Sequence, residues 1–284
     1  MPELPEVETM CRGIAPCCGS LITAVYRPRC RLKPIQIKPT ISSLKKKLCG
    51  TRITTIERAG KRPVLRTDHG IVLVFEPRMT GLLLLADPPD ANHLRLCLEL
   101  TPAKRQSSKQ KLLFWDRRGL GTVQLLTEEN YAVLLGSGKL GPDALNITSS
   151  SLRRQLAGSR RAIKVALLDQ RVVAGIGNLY AAEILLLAGI HPEKQCCQLK
   201  DAEWQQIVRT TKQVLKQAIR YEGSTLGDGT YRNALNQKGR YQNHHRVYGR
   251  EGRICRRCRV GRVKRIVQSQ RSTFFCPHCQ RVSS

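Results

Sequence analysis

Cys255-Arg256-Arg257-Cys258 and Cys276-Pro277-His278-Cys279 decide how the last part of this 284-residue chain folds. Each quartet is a C-x2-C knuckle, a tight turn that presents two thiolates together, and seventeen residues lie between the pairs. Four sulfurs delivered in this way suit a tetrahedral zinc ion, and the residues between them make a two-stranded hairpin. Four thiolates leave no open coordination position, so the expected metal is one structural Zn2+ ion rather than a catalytic one. The ribbon is strongly cationic. Arg253, Arg256, Arg257, Arg259, Arg262, Lys264, Arg265 and Arg271 crowd it, with Glu251 the nearby acid. A metal-stapled hairpin carrying that charge is suited to pressing against phosphates.

Outward from the ribbon the same bias continues. The chain has 49 Lys and Arg against 21 Asp and Glu, a net charge of +28. That is far more than solubility needs and points to a polyanionic partner, nucleic acid first. An aromatic content of 5% argues against a single-strand binder that relies on many stacked bases. With 41% hydrophobic and 25% charged residues the composition is globular. No apolar run approaches the roughly 18 residues of a membrane span, so no membrane partner is expected. The opening Met1-Pro2-Glu3-Leu4-Pro5-Glu6 carries acids and no basic region before an apolar stretch. No secretory signal is expected, the expected address is cytoplasmic, and the cysteines are expected to be reduced. Of twelve cysteines only the ribbon four have ligand spacing. Cys11, Cys17, Cys18, Cys30, Cys49, Cys97, Cys196 and Cys197 are expected as small buried side chains.

Periodicity divides the remainder. Pro5 at a first-turn position, Glu6 and Glu8 near the helix start, and apolar Val7, Met10, Cys11 and Ile14 at helical spacing predict a short amphipathic helix. Residues 21–127 carry strand signals at 51–58, 71–76, 80–85, 93–100 and 120–126. The clearest is 93–100, where Leu94, Leu96, Leu98 and Leu100 alternate with more polar or smaller neighbours. A two-layered β-sandwich is expected there. Gly136-Ser137-Gly138-Lys139-Leu140-Gly141-Pro142 is dense in helix breakers and marks the predicted boundary. Helices are predicted over 162–168 and 179–188, and from Asp201 as N-cap to Gly223. Residues 223–242 have no apolar period and are expected to be a mobile loop. The fold class is thus α+β: an N-terminal helix and β-sandwich (1–135), a helical domain (143–240) and a zinc ribbon (245–284).

Pro2 follows an initiator methionine of the kind normally removed, which would expose a secondary amine. An α-amine titrates roughly two units below lysine, leaving a usable neutral fraction near pH 7. Such an amine can attack a sugar C1′ to form an iminium, after which β-elimination breaks the strand. On the residues alone, an N-terminal Pro-Glu is more often the preface to a helix.

Pro2-Glu3-Leu4-Pro5-Glu6-Val7-Glu8 resembles the opening signature of the formamidopyrimidine-DNA glycosylases, and further matches follow in family order. Ala174-Gly175-Ile176-Gly177-Asn178-Leu179-Tyr180-Ala181-Ala182-Glu183 resembles the family's helix-two-turn-helix segment. Val247-Tyr248-Gly249-Arg250 and the ribbon through Gln270-Arg271-Ser272-Thr273-Phe274-Phe275 resemble its C-terminal signature. The resemblance covers nearly the whole chain. It implies a base-excision-repair enzyme that removes oxidised purines from damaged double-stranded DNA through a Pro2 Schiff base, then cleaves the strand by β,δ-elimination.

Carried over residue by residue, the resemblance makes Pro2 the nucleophile and Glu3 the acid that protonates the opening sugar. Glu6 is either an organiser of that site or a solvated first-turn acid favoured by the helix dipole. Lys61 matches the family lysine that contacts phosphate and assists β-elimination. Arg271 matches the arginine of the zinc hairpin, associated with phosphate and δ-elimination. Asn178 stands at a helix start suited to a phosphate, and His93, Arg118 and Arg160 match further DNA contacts. Lesion extrusion leaves a gap that family side chains fill. Met79 matches one such plug, and Leu120 stands where many relatives have an aromatic wedge, with Gly119 in place of a basic residue. The stretch 101–111 is longer and more basic than usual. Two alternatives share these motifs: an endonuclease VIII-like enzyme for oxidised pyrimidines, and a non-catalytic DNA-binding protein. One lesion engages one active site, so a monomer is expected.

Overall fold

Glu3 starts the first helix. Its backbone N–H donates to the Glu6 carboxylate at 2.9 Å, satisfying one of the donors that a helix N-terminus leaves open. Helix α1 then runs over Leu4–Ile14, and Leu4, Val7, Met10 and Ile14 fall on its buried face. The computed structural model describes residues 2–103, 109–136 and 138–281. It divides into two compact units, Met1–Ser137 with Tyr221–Arg240, and Gly138–Arg220 with Tyr241–Ser284.

Among the described residues of the first unit nine strands form two sheets: β1 Leu21–Tyr26, β2 Gln36–Lys38, β3 Ile53–Ala59, β4 Arg62–Thr67, β5 Ile71–Glu76, β6 Gly81–Leu84, β7 Leu94–Thr101, β8 Gln110–Asp116 and β9 Thr122–Thr127. One sheet has the order β1-β7-β8-β6 and the other β2-β9-β5-β4-β3. Pairing is antiparallel except between β2 and β9. Helix α2 (Ile41–Leu48) packs beside β1, and α3 (Glu128–Leu135) follows β9. The inner faces of both sheets and α1 share one apolar core, as the expected sandwich requires.

Two of the residues that alternate with the leucines of β7 are not solvent-facing. Arg95 and Cys97 are as buried as the leucines. Strand β7 lies between β1 and β8, and Arg95 is held by the Asp116 carbonyl at 2.9 Å and the Lys33 carbonyl at 3.2 Å. Strand β8 escapes a period-two search because Leu112 through Asp116 are all buried.

Residues 221–240 have the irregular backbone expected of a loop, yet they are knitted into the first unit. Tyr231 and Ala234 join its core. The Thr225 hydroxyl donates to the Tyr231 carbonyl at 2.7 Å and accepts from Gly239 N–H at 2.9 Å. Gly13 on α1 is needed here, since a Cβ would lie 2.5 Å from that of Ala234.

In the second unit the helices are α4 Ser149–Leu156, α5 Ile163–Leu167, α6 Asn178–Ala188 and α7 Asp201–Arg220. Helix α6 stops where Gly189 takes a φ of +75°, a left-handed value glycine adopts without strain. Asp201, expected as an N-cap, lies one residue inside α7. The turn closes on Lys200, whose N–H donates to Glu203 and whose carbonyl accepts from Trp204. Helix α7 ends at Arg220, short of the predicted Gly223. Strands β10 Lys264–Gln268 and β11 Arg271–Phe275 form a hairpin whose two-residue turn, Ser269-Gln270, has both φ angles positive, as a type I′ turn demands. Ala182 and Leu186 of α6 pack with Val247, Val263, Cys255 and Cys276. Among the described residues no helix is long and apolar enough to cross a membrane.

Candidate functional site

Pro2 and Glu3 are buried at the head of α1. Glu6, one turn on, is 3% exposed, which rules out the solvated first-turn acid. One of its oxygens accepts from Glu3 N–H and the other from Ser224 N–H at 2.8 Å. The Tyr231 hydroxyl donates to the Glu6 carbonyl at 3.3 Å. Glu6 therefore pins the Pro2-Glu3 backbone to the 221–240 segment. A Cβ on Gly223, whose φ is +76°, would lie within 3 Å of the Glu6 side chain, so backbone and carboxylate must meet at a glycine.

Four of the predicted DNA-binding positions, Met79, His93, Arg118 and Leu120, gather around one residue that has no role in the sequence reading. Asp116, wholly buried at the end of β8, accepts from the Thr80 hydroxyl, from Arg118 N–H at 3.3 Å and from Gly121 N–H at 2.7 Å. Its own N–H donates to the His93 carbonyl at 2.9 Å. The Thr80 hydroxyl also accepts from Arg118 N–H at 2.9 Å. The Met79 turn and the Arg118-Leu120 loop are thus tied to a single carboxylate, and His93 to the backbone N–H of the same residue. Met79 and Leu120 project as exposed apolar side chains, with Arg117 and Arg118 exposed beside Leu120. Gly119 has a φ of +64°, and a Cβ there would meet Arg95 and the Lys33 carbonyl at 3.4 Å, so this loop shape itself favours glycine over a basic residue. A short acid closing an apolar run before a glycine-rich turn is the sequence signal for such a residue.

His93 is held by Asp90, its Nδ1 lying 2.7 Å from the carboxylate, and meets Trp115 edge-on at 5.6 Å. It lines an open cavity of about 730 Å³ with Arg29, Cys30, Arg31, Leu32 and Asn92. Lys61 occupies the two-residue turn Gly60-Lys61 between β3 and β4 and is half-buried.

In the second unit Asn178 begins α6. Its amide donates to the Ser272 carbonyl at 2.9 Å, and its oxygen accepts from Lys164, whose ammonium also donates to the Thr273 hydroxyl at 2.6 Å. Lys164 is fully buried. This bridge joins α6 to β11 at Ser272 and Thr273, the residues that follow exposed Arg271 at the turn end of the hairpin. Glu183, also fully buried, accepts from the N–H groups of Arg246, Val247 and Tyr248, the last two at 2.9 Å, and anchors the chain that enters the ribbon. Burial holds the Glu183 carboxyl above the usual carboxylate range, against the pull of those amides. Arg161 donates to Asp169 at 3.1 Å, whereas Arg160 is exposed and, among the described residues, has no carboxylate partner.

The four ribbon sulfurs lie within 4.8 Å of one another, with Cys255 and Cys279 3.9 Å apart and Cys258 and Cys276 3.8 Å apart. A tetrahedral ion with Zn–S bonds of about 2.3 Å needs sulfurs about 3.8 Å apart. The donor set fits one structural zinc ion. Gly261 leaves room for it, since a Cβ there would stand 2.7 Å from the Cys276 sulfur. Of the other cysteines Cys11, Cys17, Cys97 and Cys196 are buried as expected, but Cys18 and Cys197 are exposed. Within the basic stretch 101–111, residues 104–108 lie outside those described.

Three families match the chain in sequence order: the formamidopyrimidine-DNA glycosylase N-terminal domain over residues 1–123, the formamidopyrimidine-DNA glycosylase H2TH domain over 140–229, and a zinc finger found in FPG and IleRS over 254–282. The formamidopyrimidine-DNA glycosylase of Chloroflexus aurantiacus is 38% identical across 99% of this chain and 98% of that protein. That of Gluconobacter oxydans is 37% identical across 99% and 100%. Among solved structures, the Lactococcus lactis Fpg in complex with DNA containing an abasic site has a TM-score of 0.86 at 31% identity, covering 99% of this chain and 100% of that one. A variant of the same enzyme bound to Fapy-dG-containing DNA also superimposes with a TM-score of 0.86, at 32% identity and the same coverage.

Proposed function

Because the chain belongs to the formamidopyrimidine-DNA glycosylase family, we propose that this DNA glycosylase of base-excision repair takes oxidised purines from duplex DNA through Pro2. The observation that carries the reading is the head of α1, where Glu6 holds the Glu3 backbone with one oxygen and Ser224 with the other. That anchorage supports a fixed amine at Pro2 once Met1 is removed, and a carboxyl beside it.

The chemistry balances on this chain's own groups. The neutral Pro2 nitrogen gives its lone pair to C1′, the N-glycosidic bond breaks, and the base leaves with that bond's electron pair and takes up a proton. Glu3 donates a proton to O4′ as the sugar ring opens, and the nitrogen, having lost its own proton, becomes an iminium. Loss of a C2′ proton then expels the 3′ phosphate, and a second elimination expels the 5′ phosphate. Lys61 is placed on a short turn suited to the first of these phosphates, and Arg271 on the hairpin suited to the second. Zinc supplies structure only: Cys255, Cys258, Cys276 and Cys279 hold it, and it fixes the hairpin that bears Arg271. Asn178, Arg160, His93 and Arg118 bind backbone, while Met79 and Leu120 fill the gap left by the extruded nucleotide. One lesion engages one Pro2, so the acting species is a monomer, which sedimentation of the DNA complex checks.

Borohydride trapping on an 8-oxoguanine duplex tests the reading, with the adduct mapped by peptide mass. A covalent complex at Pro2 is expected that a chain retaining Met1 cannot form there, its Pro2 nitrogen being a peptide amide, and Glu3→Gln should bind lesion DNA yet excise poorly. Trapping on a thymine-glycol duplex alone would instead favour the oxidised-pyrimidine enzyme. Tight duplex binding without any adduct would favour a binding protein.

A further inference from the structure

The end of the first unit remote from its plug loops is also charged, and the proposed chemistry uses none of that charge. In the four-stranded sheet, Gly81 pairs with Asp116 and Leu94 with Trp115 at one end, next to Met79 and Arg118, while Leu21 pairs with Thr101 and Leu100 with Gln110 at the other. Helix α2 delivers its last turn to that other end, because Gly50 N–H donates to the Ile22 carbonyl and Ile22 N–H donates to the Thr51 carbonyl. Strand β3 then leaves from there and reaches the Lys61 turn only after seven residues, about 20 Å at about 3.3 Å per residue.

The last turn of α2 carries Lys45, Lys46 and Lys47, all exposed, and Lys109 is exposed just before β8. Among the described residues none of the four pairs with a carboxylate. The nearby Asp68 is already engaged, accepting from Arg52 N–H at 2.9 Å and lying 3.0 Å from the His69 ring. Cations at a helix C-terminus favour the macrodipole, but that end carries only about half an elementary charge. Three lysines in succession exceed what it can satisfy, and no position three or four residues away on the helix offers any of them a carboxylate. Lysine ammonium groups are mobile point charges, suited to a row of phosphates rather than to one fixed carboxylate.

We propose that Lys45, Lys46 and Lys47 form a second polyanion contact, which grips the backbone of another DNA segment while the lesion end is occupied. The inference rests on the reading that DNA is this protein's ligand and is independent of the Pro2 chemistry. Contacts of this kind let a protein pass between segments of DNA without full release, because each segment is held by phosphate neutralisation alone.

The test uses the full zinc-loaded chain saturated with a short duplex containing a tetrahydrofuran abasic analogue, to which a differently labelled undamaged duplex is added. A ternary complex is expected for the unsubstituted protein. The triple variant Lys45→Gln, Lys46→Gln, Lys47→Gln should lose three phosphate contacts. Its salt slope for the second duplex should fall by about 2.7, a difference of roughly forty-fold over a four-fold rise in salt. Binding of the first duplex, and single-turnover excision measured separately on an 8-oxoguanine duplex, should be unchanged, and a triple arginine variant should restore the second site. No ternary complex, or an unchanged slope in the glutamine variant, overturns the proposal. So does tighter binding at these lysines of a polyglutamate peptide or phosphatidylserine vesicles than of the duplex. A chain retaining Met1, whose Pro2 nitrogen is an amide and cannot be trapped if the Pro2 reading is right, should form the ternary complex normally, so the two readings fail separately.

Discussion

Asp116→Asn removes a charge without changing the shape of the side chain, and its consequence can be worked from the contacts. One carboxylate oxygen accepts from Thr80 and Arg118, the other from Gly121 at 2.7 Å. Asparagine keeps the first oxygen, but its NH2 group must then face the Gly121 N–H, donor against donor, in a site with no exposure. A hydrogen bond to a charged acceptor contributes about 1.5–3 kcal/mol, and a buried unsatisfied donor costs about 1–3 kcal/mol. A loss of about 3 kcal/mol is therefore expected, which for a domain of this size lowers Tm by about 6–12 °C. Because the same carboxylate organises the Met79 and Leu120 loops, affinity for lesion-containing duplex should fall more than affinity for undamaged duplex. Differential scanning fluorimetry and fluorescence anisotropy on the two duplexes provide the readouts. An unchanged Tm with an unchanged ratio of affinities would refute the claim that Asp116 holds these loops in place.

Cys276→Ser should release zinc and unravel the packing of Val247, Val263 and Leu186 around the ribbon, with loss of most DNA affinity, while the β-sandwich keeps its own transition. Metal content by mass spectrometry and calorimetry check this, and retained affinity in the zinc-free protein would contradict it. His245 is buried, and that burial, reinforced by Arg256, His244 and Arg250, pushes its pKa from 6.5 down to about 4. The unfolded chain therefore binds a proton that the folded chain refuses between these values, so stability should fall as pH drops from about 6.5 to about 4. His245→Gln should flatten that part of a denaturation-against-pH series relative to the parent protein, and parallel curves would show that His245 is not the group responsible.

The features legible in the sequence are those that local chemistry dictates. Two C-x2-C knuckles specify a four-sulfur site because chain spacing alone brings each pair together, and the structure places all four sulfurs in one cluster. The period of Val7, Met10 and Ile14 determines the buried face of α1 for the same reason. The family signatures, being long and ordered, also identified the glycosylase family before any coordinate. Long-range partners were not legible. Arg95 is buried only because its guanidinium meets the carbonyls of Asp116 and Lys33 and the Cys30 sulfur, partners that lie 21 to 65 positions away in the chain. Asp116, Lys164 and Glu183 read as ordinary polar residues, yet each is fully buried because its partners come from segments distant in sequence. The same holds for Glu6, whose carboxylate meets Ser224 across 218 positions of chain. Composition and period report which faces avoid water. Which buried charge holds which loop depends on hydrogen-bond partners that meet only once the chain has folded, and that much the tertiary structure alone decided.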